Sequence, residues 1–125
     1  MKREERKIKK YKLDLSEYQV PKPGSKIADN ETIPYPLKAN LSDWLRGVGM
    51  FKTAEEVAEA VCLAKEIRDE EADWLILDEK EAAILTQAVD KLITLTADGK
   101  FNLGGIMHEE AICRVVNMEV IESGE

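Results

Sequence analysis

The first twenty residues alternate between apolar and polar positions as a strand does. Tyr11, Leu13 and Leu15 are separated by charged residues, which is the period-two pattern of a strand with one buried face. The first proline is Pro21. Because proline has no backbone N–H, it ends regular strand pairing. The sequence therefore predicts a basic arm and an N-terminal strand over residues 1–20.

Residues 21–37 are rich in proline, glycine and short polar side chains and predict a loop. The segment is longer than most connections in a compact domain, and this length is more typical of a binding loop than of a spacer. The apolar stretch from Ile33 to Leu37 contains two prolines, which hold it extended at low entropic cost. We expect this stretch to dock onto another surface.

The apolar positions recur with helical spacing after this loop. Asn40 or Ser42 can cap a short helix. Thr53 and Glu56 have the spacing of a capping box, and the helix that follows them is predicted to run to about Glu71.

The second half of the chain predicts further helices. Asp78 is the expected cap of the strongest one, and residues 74–77 before it form either a short linker or a brief strand. Another helix is predicted over about residues 107–116, whereas residues 116–122 fit either a helix or a strand. The predicted fold is α+β and mainly α, with three to four short helices, a small N-terminal β element and a long Pro-rich loop. It forms one domain, whose mainly helical body spans residues 38–125.

Composition narrows the class of protein. The chain has 125 residues, 44% hydrophobic and 34% charged, which suits one folded domain and argues against disorder. No apolar run approaches the ~18 residues that a membrane helix needs, and Glu4 and Glu5 interrupt any secretory signal. Cys62 and Cys113 are expected to be reduced thiols packed in the core. We expect a location in the cytoplasm of a host cell, or in a virion.

Charge is distributed unevenly along the chain. Residues 1–12 carry a net charge of +5, which leaves −12 on the remaining 113 residues. Such an arm can bind a phosphate backbone, an acidic partner or the acidic body of another copy, or it can be a solubilising tail. We predict that it makes intermolecular contacts and contributes little to the fold. The basic residues assigned to this contact are Lys2, Arg3, Arg6, Lys7, Lys9 and Lys10.

The sequence lacks the residue sets that catalysis requires. His108 is the only histidine, and position 112, where a zinc-protease helix would need a second one, is Ile112. No glycine-rich phosphate loop and no calcium loop fit the sequence. We therefore predict no catalytic residues, no metal site and no cofactor.

Aromatic residues are concentrated between positions 33 and 51. Trp44 is assigned to the core, because large aromatic residues at helical spacing usually pack inside. Ile33 and Tyr35 fit a core or an interface equally well, and we include them among the candidate interaction residues.

The order of elements resembles that of small proteins from bacteriophage and prophage gene modules. The stretches that carry the resemblance are Tyr18–Pro21, Ile33–Lys38 with Leu41, Phe51–Glu56 and Leu77–Glu79 with Glu81. The resemblance implies a non-catalytic role in virion assembly or in binding a host or defence protein.

These observations favour a non-enzymatic protein–protein interaction protein, a phage-type virion assembly or structural accessory subunit. It would form a homo-oligomer or a larger assembly without binding membrane, and its acidic body disfavours nucleic acid. The alternative is an acidic inhibitor or decoy that mimics a phosphate row to a host or defence nucleic-acid-handling protein. The carboxylates proposed for that mimicry are Glu55, Glu56, Glu59, Glu66, Asp69, Glu70 and Glu71.

Overall fold

The computed structural model describes residues 8–22, 31–47, 51–99 and 108–123. The predicted α+β, mainly α class is confirmed, with four helices and a small antiparallel sheet in the described ranges. The strands are β1 Ile8–Asp14, β2 Gln19–Pro21, β3 Thr32–Pro34, β4 Trp74–Asp78 and β5 Glu119–Ser123. The helices are α1 Leu37–Leu45, α2 Ala54–Asp69, α3 Glu79–Ala97 and α4 Glu109–Val116.

The main sheet has three strands in the order β4-β1-β5. Both outer strands run antiparallel to β1, so they run parallel to each other, and α3 and α4 lie between them in the chain. Tyr11 in β1 lies opposite Leu77 in β4 and opposite Val120 in β5. This register sets the row of side chains that faces the helices.

The expectation that residues 1–12 contribute little to the fold is wrong for residues 8–12. They belong to β1, the central strand, which pairs on one side with β4 and on the other with β5. Lys9 and Lys10 are exposed within this strand, because a long lysine side chain can keep its ammonium group in water while its backbone pairs. Residues 1–7, the rest of the predicted arm, lie outside the described residues.

The predicted loop over residues 21–37 contains a strand. β3 pairs antiparallel with β2, and Ile33 lies opposite Val20. The backbone N–H of Tyr35 then donates to the carbonyl oxygen of Tyr18 at 2.9 Å. This segment therefore folds back onto the chain's own N-terminal region.

The first helix begins earlier than the sequence suggested. α1 starts at Leu37, with Pro36 at the capping position and no side-chain cap, whereas Asn40 and Ser42 lie inside the helix. Ser42 is buried there. Burial of apolar residues from Leu37 onward fixes this start in place of a capping hydroxyl.

The next two helices begin where the sequence predicted. Thr53 Oγ1 accepts from the Glu56 amide at 3.1 Å, but the Glu56 carboxylate accepts from the Thr53 hydroxyl, so only half of the capping box forms. At α3 the box is complete: Asp78 Oδ1 accepts from the Glu81 amide at 2.7 Å, and Glu81 Oε1 accepts from the Asp78 amide at 3.1 Å. Asp78 thereby joins β4 directly to α3.

The core lies between the sheet and the helices. Its largest fully buried apolar side chains are Leu13, Leu41, Leu45, Leu63, Ile67, Leu77, Leu85, Val89 and Val115. Trp44 is buried, as predicted. The two thiols are not, and that prediction was wrong: Cys62 and Cys113 are both exposed, because each lies on the outward side of an amphipathic helix.

Candidate interaction surface

The C-terminal strand leaves one edge of the sheet open. β5 pairs with β1 on one side, and within the described part of the chain no strand pairs with its other side. An edge strand presents a row of backbone N–H and C=O groups that another strand can pair with. Strand addition at such an edge is a common mode of protein recognition.

Apolar side chains on both faces of β5 remain exposed. Val120, on the face toward the helices, is 50% exposed, and Ile121, on the opposite face, is 36% exposed. Charged side chains usually protect edge strands against pairing. Among the described side chains of β5, only Glu119 is charged. An edge strand with exposed apolar side chains and so little charge is typical of a strand that another molecule covers.

A groove runs beside β5 on the helix side. It has a volume of about 490 Å³ and lies between α3, the end of α4 and β5. Val116, which is 57% exposed, Met118 and Val120 form one wall, and Ala83 and Gln87 of α3 contribute to the other. We call the free edge of β5 together with Val116, Met118, Val120 and Ile121 the β5 surface.

The sequence contains a signal for this surface in the same alternation that makes residues 116–122 fit a strand as well as a helix. Val116, Met118 and Val120 alternate with polar residues, as in a strand, and Ile121 breaks the alternation by placing an apolar residue on the second face. A strand that is apolar on both faces is typical of a strand covered on both sides.

Tyr35, a predicted contact residue, lies in the core instead. It is 4% exposed, its hydroxyl hydrogen-bonds His108 Nδ1 at 2.7 Å, and its ring stacks on Tyr18 with 5.1 Å between centroids. Trp44 packs edge-on against the same imidazole. Tyr35 therefore ties the N-terminal region to the start of α4, and it cannot anchor a partner. The other apolar candidate, Ile33, is half-buried in β3 against the core.

Burial shifts the acid–base behaviour of this aromatic cluster. It lowers the pKa of His108 and so favours the neutral imidazole, whose Nδ1 shares a hydrogen bond with the Tyr35 hydroxyl. Burial also raises the pKa of Tyr35 and of Tyr18, so both phenols stay protonated.

The basic candidates fall into two groups. Lys9 and Lys10 are exposed on β1, while Lys2, Arg3, Arg6 and Lys7 lie outside the described residues. Lys10 pairs in register with Asp78 and Ile121. The predicted intermolecular contact of the arm stays a prediction.

A second cavity, of about 540 Å³, lies at the Asp14 end of the sheet near Trp74. Arg114 lines this cavity and makes contacts within the chain. It pairs with Glu110 at 2.8 Å, donates to the Ser16 carbonyl oxygen at 2.7 Å and stacks over the Tyr18 ring. These contacts join α4 to the N-terminal region. Nε and Nη1 of Arg114 are thus engaged within the fold.

Three of the seven carboxylates that supported the decoy alternative form ion pairs within the chain. Lys80 pairs with Glu59 at 2.5 Å and lies 4.0 Å from Glu55, and Arg68 pairs with Asp69 at 2.9 Å. A phosphate mimic requires carboxylates that are free to meet basic groups on a partner. The decoy alternative stays a prediction.

Three further results bear on function. Among the described residues, no group of three or more His, Cys, Asp or Glu side chains is placed to hold a metal ion. In the same part of the chain no helix has both the length and the apolar character needed to cross a membrane. Comparison with protein-family models, with curated proteins and with solved structures gave no match.

Proposed function

We propose that this protein is a non-catalytic protein–protein interaction subunit that assembles by strand addition at the β5 surface. The observation that carries the proposal is the exposure of Val120 and Ile121 on opposite faces of an edge strand whose outer side has no described partner strand. Pairing at that edge would satisfy backbone groups and bury both side chains at once.

The rest of the molecule supports a binding role in preference to chemistry. The one histidine and its neighbouring tyrosines are tied into the core, and Arg114 is engaged by Glu110 and by backbone carbonyls. A phage-type virion assembly or accessory role, exercised in the host cytoplasm or in a virion, is the setting that the order of elements suggests. The basic residues before β1 would add a salt-dependent contact to the assembly.

Two lysine substitutions of equal chemistry test the proposal. Val120→Lys places a charge at the centre of the β5 surface, and Val57→Lys places the same charge on α2 at a site of similar exposure, 46% against 50%. We expect Val120→Lys to abolish the complexes that the purified protein and its native host extract form, and Val57→Lys to leave them intact. If both variants retain the same complexes, the β5 surface is not the docking site and the proposal fails.

A further inference from the structure

We infer that the strand added at β5 is β5 of a second copy, paired antiparallel so that Val120 lies opposite Val120. The two-fold axis is perpendicular to the sheet and passes midway between these two residues; we call this arrangement the Val120 register. This inference rests on the proposed function and specifies its partner and register. The result is a continuous six-stranded sheet, with the helices of both copies on one face.

The pleat of the sheet restricts which registers are possible. In one continuous sheet, residues directly opposite each other point to the same face. One residue of β5 must therefore lie opposite the same residue of the second copy, with the two-fold axis midway between them. Among the β5 residues with described side chains, that residue can be Glu119, Val120 or Ile121. Side-chain chemistry distinguishes these three registers.

Two of the registers are unfavourable. An axis at Glu119 places the two Glu119 carboxylates directly opposite each other, and like charges in that position destabilise a sheet. An axis at Ile121 places Val120 opposite position 122, which is a glutamate in the sequence. That register places the most exposed apolar side chain of β5 opposite this glutamate, whereas the Val120 register places only the half-buried Met118 opposite it.

The Val120 register continues an apolar row across both copies. Within one copy, Leu77, Tyr11 and Val120 lie side by side on the helix face of the sheet. With the axis at Val120, the row runs Leu77, Tyr11, Val120 and then Val120, Tyr11, Leu77 of the second copy. The two grooves, each of which includes Val120, then adjoin at Val120, and Met118 of each copy lies opposite position 122 of the other.

Charges on the open face are complementary in the same register. In one copy Lys12 lies opposite Glu119, and Lys10 lies between Asp78 and Ile121. With the axis at Val120, Glu119 lies opposite Ile121 of the second copy, whose other neighbour in that row is Lys10. Each acidic side chain then has an apolar or basic neighbour across the strands, and no like charges meet. The β5 surface is thus complementary to itself, which is what a two-fold interface requires.

Disulfide trapping tests this register. Directly opposite residues in an antiparallel pair have Cα atoms about 4.5–5.5 Å apart, within the range that a disulfide bridges. The native thiols, Cys62 and Cys113, are exposed and are first replaced by alanine. Val120→Cys is then compared with Val57→Cys on α2, which has similar exposure, by non-reducing electrophoresis during oxidation with oxidised glutathione.

We expect the Val120→Cys protein to form a covalent dimer at least about ten-fold faster than the Val57→Cys protein, because an effective concentration set by pairing replaces random encounter. We also expect light scattering to give a dimer mass for the parent protein and a monomer mass for Val120→Lys. If the parent is a dimer that Val120→Lys dissociates but Val120→Cys crosslinks no faster than the control, the register is wrong and the docking role survives. If the parent is a monomer at every concentration, the second copy is overturned as partner, and the test of the docking role with host extract still decides the proposed function.

Discussion

The two outer strands of the main sheet pair with the same central strand but differ in what covers them. In β4, Leu77 is fully buried beneath the helices, and Asp78 ends the strand by capping α3 with a complete capping box. In β5, the equivalent inward residue in the same row, Val120, is 50% exposed, and no described side chain of the strand is buried.

Both are edge strands, and the difference separates one whose inward row is buried by the helices from one whose inward row stays exposed. Both strands lie against β1, so pairing with β1 does not account for the difference. What β5 lacks is cover on its helix side, where a groove takes the place of a packed helix. An apolar strand left open beside a groove has the character of an interface.

The largest expected effect contrasts one residue from each strand. Leu77→Ala in β4 should lower the free energy of unfolding by about 2–5 kcal/mol, since it leaves a cavity in the core. Val120→Ala in β5 should cost less than about 1 kcal/mol in the dissociated protein, since its side chain is half in water already. Urea unfolding at low protein concentration measures both. Equal losses would show that the two strands are equally integrated and would remove the contrast.

The next effect concerns the central strand that both edges share. Deletion of residues 2–9 removes the first two residues of β1, which pair with the end of β5, and should cost about 1–2 kcal/mol for the lost backbone hydrogen bonds. Deletion of residues 2–7 spares β1 and should leave the melting temperature within a few degrees of the full chain. Calorimetry on the two truncations checks this. Equal stability of both would mean that the Ile8 end of β1 adds nothing to the sheet.

A smaller effect should follow from the junction between β4 and α3. Asp78→Ala removes the side-chain acceptor for the Glu81 amide and should cost about 1 kcal/mol. Asp78→Asn keeps an acceptor oxygen and should recover most of the loss. Chemical denaturation of both variants measures the difference. If asparagine gave no recovery, the junction between β4 and α3 would owe nothing to this cap.

The smallest effect is a pH dependence at the start of α4, where His108 contacts Tyr35. Burial lowers the pKa of His108 in the folded state, so the unfolded chain binds more protons and stability increases with pH. The contribution is complete above the unfolded pKa of about 6.5 and is lost as pH falls below it towards the folded value. Denaturation at pH 7.5 and 5.5 should show lower stability at pH 5.5.

The matched control is His108→Gln, which keeps an acceptor for the Tyr35 hydroxyl but does not titrate. This variant should lose the dependence between these two pH values. An unchanged dependence in the variant would assign it to another group.

Local signals in the sequence predicted the elements whose ends depend on local chemistry. The Thr53 and Asp78 caps were predicted because each capping oxygen bonds an amide three residues away. The start of α1 was missed because burial, and not a cap, determines it. The position of β1 in the sheet was missed for the same kind of reason, since the pairing partners of Ile8–Asp14 lie sixty or more residues away in the chain.

The interaction residues were harder to predict than the fold. A Pro-bracketed tyrosine has the composition of an interface anchor, but Tyr35 finds its hydrogen-bond partner in His108, 73 positions along the chain. The apolar residues of β5 have the composition of a core strand, and only the sheet order shows that one of their sides stays open. Exposure depends on which elements meet, and the local pattern does not contain that information.

Amide hydrogen exchange at several protein concentrations is the most direct way to ask whether β5 is the assembly edge, because it reports on β4 and β5 separately. If β5 is the assembly edge, amides of Glu119–Ser123 should gain protection as concentration increases from about 1 µM to about 1 mM, while amides of Trp74–Asp78 stay unchanged. Val120→Lys should remove the concentration dependence and keep the protection of β4. Protection that does not change with concentration at β5, or that increases at β4 instead, would show that the protein does not assemble at β5.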